Sequence, residues 1–212
     1  MAGSPSPDDD RRAALQDVFA LVGLGPDGSF RSDDVHAQCI RVARRLSVAG
    51  RRVVGFVPAG PRVAIPPVGL RIGFALAQLS GATVGYVDAN VRLPAFAQVA
   101  RRAATAAGRD PAGAYATHWV GDSLAVLTPP TVDSAGQVIP ALSRAVADGR
   151  ELFHYMVVDL TGFDRIGEHA EATALVDGMV VVARAGHTHV DALRAYRDEL
   201  GADRLLGALL VG

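Results

Sequence analysis

From residue 32 onward, short apolar runs alternate with stretches whose apolar residues recur every three or four positions. The run Arg52 to Val57 reads as a strand buried on both faces, Pro67 to Leu79 has helical spacing, and Thr83 to Val87 reads as a second buried strand. Ser32 has the hydroxyl of a helix N-cap and predicts a helix through about Val48. Four more strands are predicted at Leu124–Leu127, Tyr155–Leu160, Gly178–Arg184 and Leu205–Val211, with helices near Pro94–Ala107, Ala135–Asp148 and Thr188–Leu200. Strands that alternate with amphipathic helices imply an α/β fold: three layers around a doubly wound, mostly parallel sheet with right-handed crossovers. Ligands of such sheets bind outside the carboxyl ends of the strands, where loops 58–66, 88–94 and 160–166 would gather. Upstream, residues 1–10 lack apolar periodicity and are expected to be a disordered lead-in. Residues 11–31 hold a helix, Arg11 to Leu24, and a linker; its face of Leu15, Val18, Phe19 and Val22 is expected to pack on the domain formed by residues 32–212.

Composition narrows the function classes. A chain of 212 residues that is half apolar suits a single α/β unit with a sizeable core. Its formal net charge of -1, with both signs interspersed, provides no electrostatic footprint for nucleic acid. No apolar stretch is long enough for direct membrane insertion, and the single cysteine, Cys39, has no intrachain partner, so a cytoplasmic location is expected. All 21 basic residues are arginine. The absence of lysine matters most in the segment between the first strand and the helix after it.

That segment, Val57-Pro-Ala-Gly-Pro-Arg-Val-Ala-Ile-Pro66, has the layout of a phosphate-binding loop. Such a loop works through glycines that let backbone N–H groups close around phosphates, a lysine ammonium on the β and γ phosphates, and a hydroxyl on Mg²⁺. Aligned without gaps, Ala59 and Ala64 stand at the two glycines, Ile65 at the lysine, and Pro66 and Pro67 at the hydroxyl residues. The alanines add a Cβ where backbone must approach phosphate, isoleucine has no charge, and the prolines lack both hydroxyl and N–H. Arg62 lies too early in the loop to replace the ammonium.

The segment Val53 to Pro94 resembles the nucleotide-binding region of the bacterial tyrosine kinases that accompany capsule and exopolysaccharide export, within the ParA/MinD-type P-loop ATPases. The resemblance runs over about residues 34 to 212. It implies a P-loop NTPase-like fold in which Asp88 is the first carboxylate after the second strand, Asn90 stands at the second carboxylate, and Arg92 and Pro94 follow the family pattern. Val157-Val158-Asp159-Leu160-Thr161 is similar to the strand whose acid organises Mg²⁺, and Asp177-Gly178 fits the turn into the next strand. Gln38, Arg41 and Arg44 resemble the helical strip through which these kinases contact neighbouring subunits. The family's tyrosine-rich tail would begin near Leu210-Val211-Gly212, and Tyr86, Tyr115, Tyr155 and Tyr196 do not cluster.

The resemblance with these departures implies a catalytically inactive relative that uses no cofactor or metal. It would act as a scaffold or regulatory subunit through a protein partner, such as a membrane polysaccharide co-polymerase that recruits it to the inner membrane, or as a homo-oligomer. Two other readings stay open: a ParA/MinD-type spatial organiser for pili, flagella or motility, and a switch that still binds ATP and Mg²⁺ through Asp88 and Asp159. The remaining chemistry is unspecific. His187, His189 and Asp191 at a helix start, and His169 with Glu168 and Glu171, read as surface groups, Cys39 as a core residue, and Gly69, Gly73, Gly81 and Gly85 do not form a dinucleotide fingerprint.

Overall fold

A computed structural model describes residues 7–90, 92–99, 114–132, 134–163 and 167–212. Its elements in chain order are α1 (Pro7–Leu21), α2 (Asp33–Val48), β1 (Val53–Pro58), α3 (Pro66–Ser80), β2 (Val84–Asp88), β3 (Ala116–Trp119), β4 (Leu124–Thr128), a 3₁₀ turn (Ala135–Gln137), α4 (Val138–Leu152), β5 (Tyr155–Asp159), α5 (His169–Ala174), β6 (Gly178–Arg184), α6 (Val190–Leu200) and β7 (Leu205–Val211). The seven strands form one sheet in the order β3-β4-β2-β5-β1-β6-β7. Every neighbouring pair is parallel except β3 with β4.

The fold is thus the mostly parallel, doubly wound sheet that the alternation of apolar runs implies. The strands β1, β2, β4 and β5 are buried on both faces almost throughout, which is why they read as unbroken apolar runs. One apolar layer joins α1, α2 and α3 to the sheet through Phe19, Cys39, Leu46, Leu70, Ile72, Tyr86 and Val157. The opposite layer packs α4 against the other face through Val138, Leu142, Val146, Val158 and Met179. The helix α3 lies across β5 and β2, and it ends at Gly81, whose φ of +67° allows the left-handed cap without a Cβ penalty.

Several boundaries differ from the sequence expectations. The lead-in expected over residues 1–10 is helical from Pro7, and residues 1–6 lie outside the described ones. The segment Pro-Asp-Asp-Asp starts a helix well, since proline suits the first position and acidic residues the positive end of the helix dipole. α1 is part of the domain core: Val18 and Phe19 are buried, and Phe19 meets Phe74 of α3 edge to face with ring centroids 5.2 Å apart. The helix expected near Pro94–Ala107 falls mostly among residues 100–113, outside the described ones. The strand β3 and the short helix α5 were not anticipated. β3 alternates half-buried and exposed residues over four positions, too few to stand out, and exists by pairing antiparallel with β4.

Candidate functional site

The loop from β1 to α3 runs past the carboxyl end of the sheet and is tied down at both ends. The Tyr196 hydroxyl of α6 donates to the Pro58 carbonyl at 3.1 Å, and Ala59 N–H donates to Val182 O at 2.8 Å. Within the loop Val63 N–H donates to Gly60 O at 3.2 Å. Arg62 and Ala64 are exposed, whereas Val63 is buried and Ile65 is 0 % exposed, part of the apolar layer under α3. Ile65 is the N-cap of α3 and offers no side-chain cap, and Pro66 and Pro67 occupy the first two helical positions. Of the first three positions only Val68 carries an N–H, so the helix end is poor in the donors that normally receive an anion.

Beside this loop stand two carboxylates. The β2–β5 register pairs Asp88 with Asp159 at the last residue of each strand, and both are 0 % exposed. Asp88 accepts Asn90 N–H at 3.3 Å and Phe96 N–H at 3.2 Å. Asp159 accepts Thr161 N–H at 2.8 Å, the Thr161 hydroxyl, and the Tyr86 hydroxyl at 3.2 Å. Each acid therefore caps the loop that follows its strand. Among the described residues neither forms an ion pair.

Burial governs their protonation. Desolvation, with the Asp159 charge adding, pushes Asp88 up to about 7. Desolvation likewise pushes Asp159 up to about 6, opposed by the Thr161 and Tyr86 hydrogen bonds. Burial first, then the charges of Asp159 and Asp88, holds the Tyr86 hydroxyl well above its ordinary range, so it remains a donor. The Tyr115 hydroxyl is also pushed up, by burial and then by Asp88. Neither tyrosine was assigned to this site from sequence. Tyr86 had a signal, because it lies two residues before Asp88 and so shares its face of β2; Tyr115 had none. Gly69 of α3 makes room for the Tyr86 ring, since a Cβ there would lie 2.6 Å from Tyr86 Cε2.

The structure thus brings Asp88 and Asp159 together and sets Ala59, Ala64, Ile65, Pro66 and Pro67 in the loop and helix start at the same end of the sheet. Asn90 joins them: its Oδ1 accepts Leu93 N–H at 3.2 Å and keeps the loop after β2 closed. Gln38, Arg41 and Arg44 lie elsewhere, on α2, where Gln38 is half-buried and both arginines are exposed. His187 and His189 are exposed, with the His187 ring 3.0 Å from Ala185 O. His169 is near Glu199 at 3.7 Å, and no group of His, Cys, Asp and Glu suited to a metal occurs among the described residues. Cys39 is buried between α2 and the core, its thiol pushed up to about 12 by desolvation. No helix among the described residues is long and apolar enough to cross a membrane.

No family model matches the sequence, and no curated protein does. Solved structures do match the fold. The VpsO kinase domain superposes with a TM-score of 0.67 at 19% identity, covering 84% of this chain and 93% of that one. The kinase domain of Escherichia coli tyrosine kinase ETK gives 0.63 at 16% identity, with 82% of this chain and 75% of that one covered. A plasmid partition protein from Borrelia burgdorferi gives 0.52 at 10% identity, with 75% and 76% covered. The chain has the fold of bacterial tyrosine kinase domains and of a plasmid partition protein.

Proposed function

We propose that this protein is a catalytically inactive member of the tyrosine-kinase and ParA/MinD-like group, acting by protein contacts as a scaffold or regulatory subunit of a polysaccharide export machine. The observation that carries the reading is Ile65, wholly buried in the apolar layer at the position of the phosphate-binding lysine and followed directly by two prolines. A triphosphate placed here would meet one free helix N–H in the first three positions and no ammonium. It would also face two carboxylates that form no ion pair among the described residues, so the triphosphate does not fit the residues present. The fold outlasts the chemistry because it depends on the apolar strands rather than the loop. The export setting rests on the resemblance of residues 53–94 alone.

Calorimetric titration with ATP and Mg²⁺ tests the reading. No saturable heat is expected; saturable micromolar binding, about -8 kcal/mol, would overturn it in favour of an ATP-dependent switch. A pull-down from a bacterium that makes exopolysaccharide is expected to retain a membrane co-polymerase, whereas pilus or flagellar components would favour a spatial organiser.

A further inference from the structure

At the amino ends of the strands, opposite the Asp88–Asp159 pair, lies a polar cavity of about 590 Å³ lined by Arg51, Arg52, Arg150, Arg204, Asp177 and Asp203, with Gly50 and Ala174 at its wall. The arginines come from three places in the fold: Arg51 and Arg52 just before β1, Arg150 in the last turn of α4, and Arg204 just before β7. β1 alone has six residues, so at about 3.3 Å per residue this cavity lies about 20 Å from the carboxyl-end site.

The donors divide into two groups. Arg52 is structural: its Nη2 donates to Arg150 O at 2.7 Å and Phe153 O at 2.9 Å, and its Nε to His154 O at 3.3 Å. Arg150 Nη2 donates to Asp177 Oδ1 at 2.7 Å, while Asp177 Oδ2 also accepts Arg52 N–H at 3.0 Å and Val53 N–H at 2.8 Å. The Asp177 charge is thus already taken up. Arg204 donates Nη1 to Thr173 O at 2.7 Å, which ties down its side chain, and its Nε and Nη2 have no hydrogen-bond partner among the described residues. Arg51 is exposed and ties itself to no described residue. Four guanidinium groups therefore line the cavity with two carboxylates, and Asp203, which no arginine engages among the described residues, is exposed. Guanidinium groups brought together from separate elements match the oxygens of a phosphate-type anion.

We propose that this cavity binds a small phosphate-bearing molecule, with the diphosphate group as the recognised chemistry, through Arg51 and the free edge of Arg204 over a floor set by Arg52 and Arg150. The site is independent of the nucleotide-type loop, and its occupancy says nothing of the fate of that loop.

The test is calorimetry of the full chain with inorganic pyrophosphate and with orthophosphate, together with backbone amide NMR shifts. Saturable binding is expected, tighter for pyrophosphate, with shifts centred on residues 50–53, 177 and 204. Arg51→Glu is expected to weaken binding at least tenfold with unchanged unfolding, because Arg51 holds no other contact among the described residues, and Arg204→Gln to weaken it by a smaller factor. Absence of saturable binding, an affinity unchanged by Arg51→Glu, or shifts centred on residues 59–68 would each overturn the proposal.

Discussion

The behaviour of the site is decided by a few side chains whose surroundings are unusual for their type. Asp88 and Asp159 are folded-state acids with raised pKa, so they titrate in the opposite sense to salt-bridged carboxylates. Unfolded, both ionise near 3.8; folded, Asp159 holds its proton up to about 6 and Asp88 up to about 7. Between those limits the native state binds more protons than the unfolded one, so stability falls as pH rises from about 4 to 7 and levels off above. Asp159→Asn removes one of these ionisations and keeps a group able to face the Tyr86 hydroxyl. The variant is expected to be more stable than the wild-type protein at pH 8 by about 1–3 kcal/mol, to match it near pH 4, and to show a flatter pH profile in urea unfolding. An unchanged profile would refute the assignment. Gly69 is the other residue with a single physical reason: Gly69→Ala brings a methyl against the Tyr86 ring, which is buried and cannot swing away. A loss of about 1–3 kcal/mol is expected in the same measurement.

At the scale of elements, α1 and the strand-start clasp carry the next predictions. α1 is joined to α3 by the Phe19–Phe74 contact, and Phe19 is 0 % exposed. Phe19→Ala is therefore expected to cost about 3–5 kcal/mol, read as a shift in the global denaturant midpoint; a change confined to fraying of the first twenty residues would show α1 to be an appendage. Asp177 clasps the start of β1 to the end of α4 through two backbone N–H groups and Arg150. Asp177→Ala is expected to cost about 1–3 kcal/mol by leaving those donors without their acceptor. Burial raises the Asp177 pKa, but the Arg150 and backbone hydrogen bonds outweigh it and hold the value below 3.8. The clasp is thus complete above that pH and is lost as pH falls below it.

For the whole molecule, the legible part of the sequence was the part whose physics is local. β6 was predicted with its observed limits because a parallel strand covered on both faces is apolar at nearly every position; the edge strand β7 is only partly covered, and its unbroken apolar run alone marked its limits. β3 was not, since four residues with one exposed face carry too little pattern and depend on β4 for their hydrogen bonds. In the candidate site, the loop residues and both acids were legible because they sit at fixed spacings from the strands. The Tyr86–Asp159 hydrogen bond was not, because its partners are 73 residues apart and meet only through the β2–β5 register. Self-association belongs at this scale too. Under the proposed function, assembly rests on protein contacts such as the exposed Arg41 and Arg44 on α2. Arg41→Glu is expected to reduce the solution mass or partner binding, and no change in either by light scattering or pull-down would remove that face from consideration.

By itself the sequence determined the layer order and the chemical poverty of the β1–α3 loop. Periodicity is written along the chain, and a residue type such as isoleucine or proline lacks an ammonium or a hydroxyl wherever it is placed. The tertiary structure alone decided that Ile65 turns into the core, that Asp88 and Asp159 are buried side by side, and that arginines from just before β1 and β7 and from the end of α4 line one cavity. Burial, desolvation and the convergence of charges depend on distance in space, and the chain order carries none of them until the sheet has set its register.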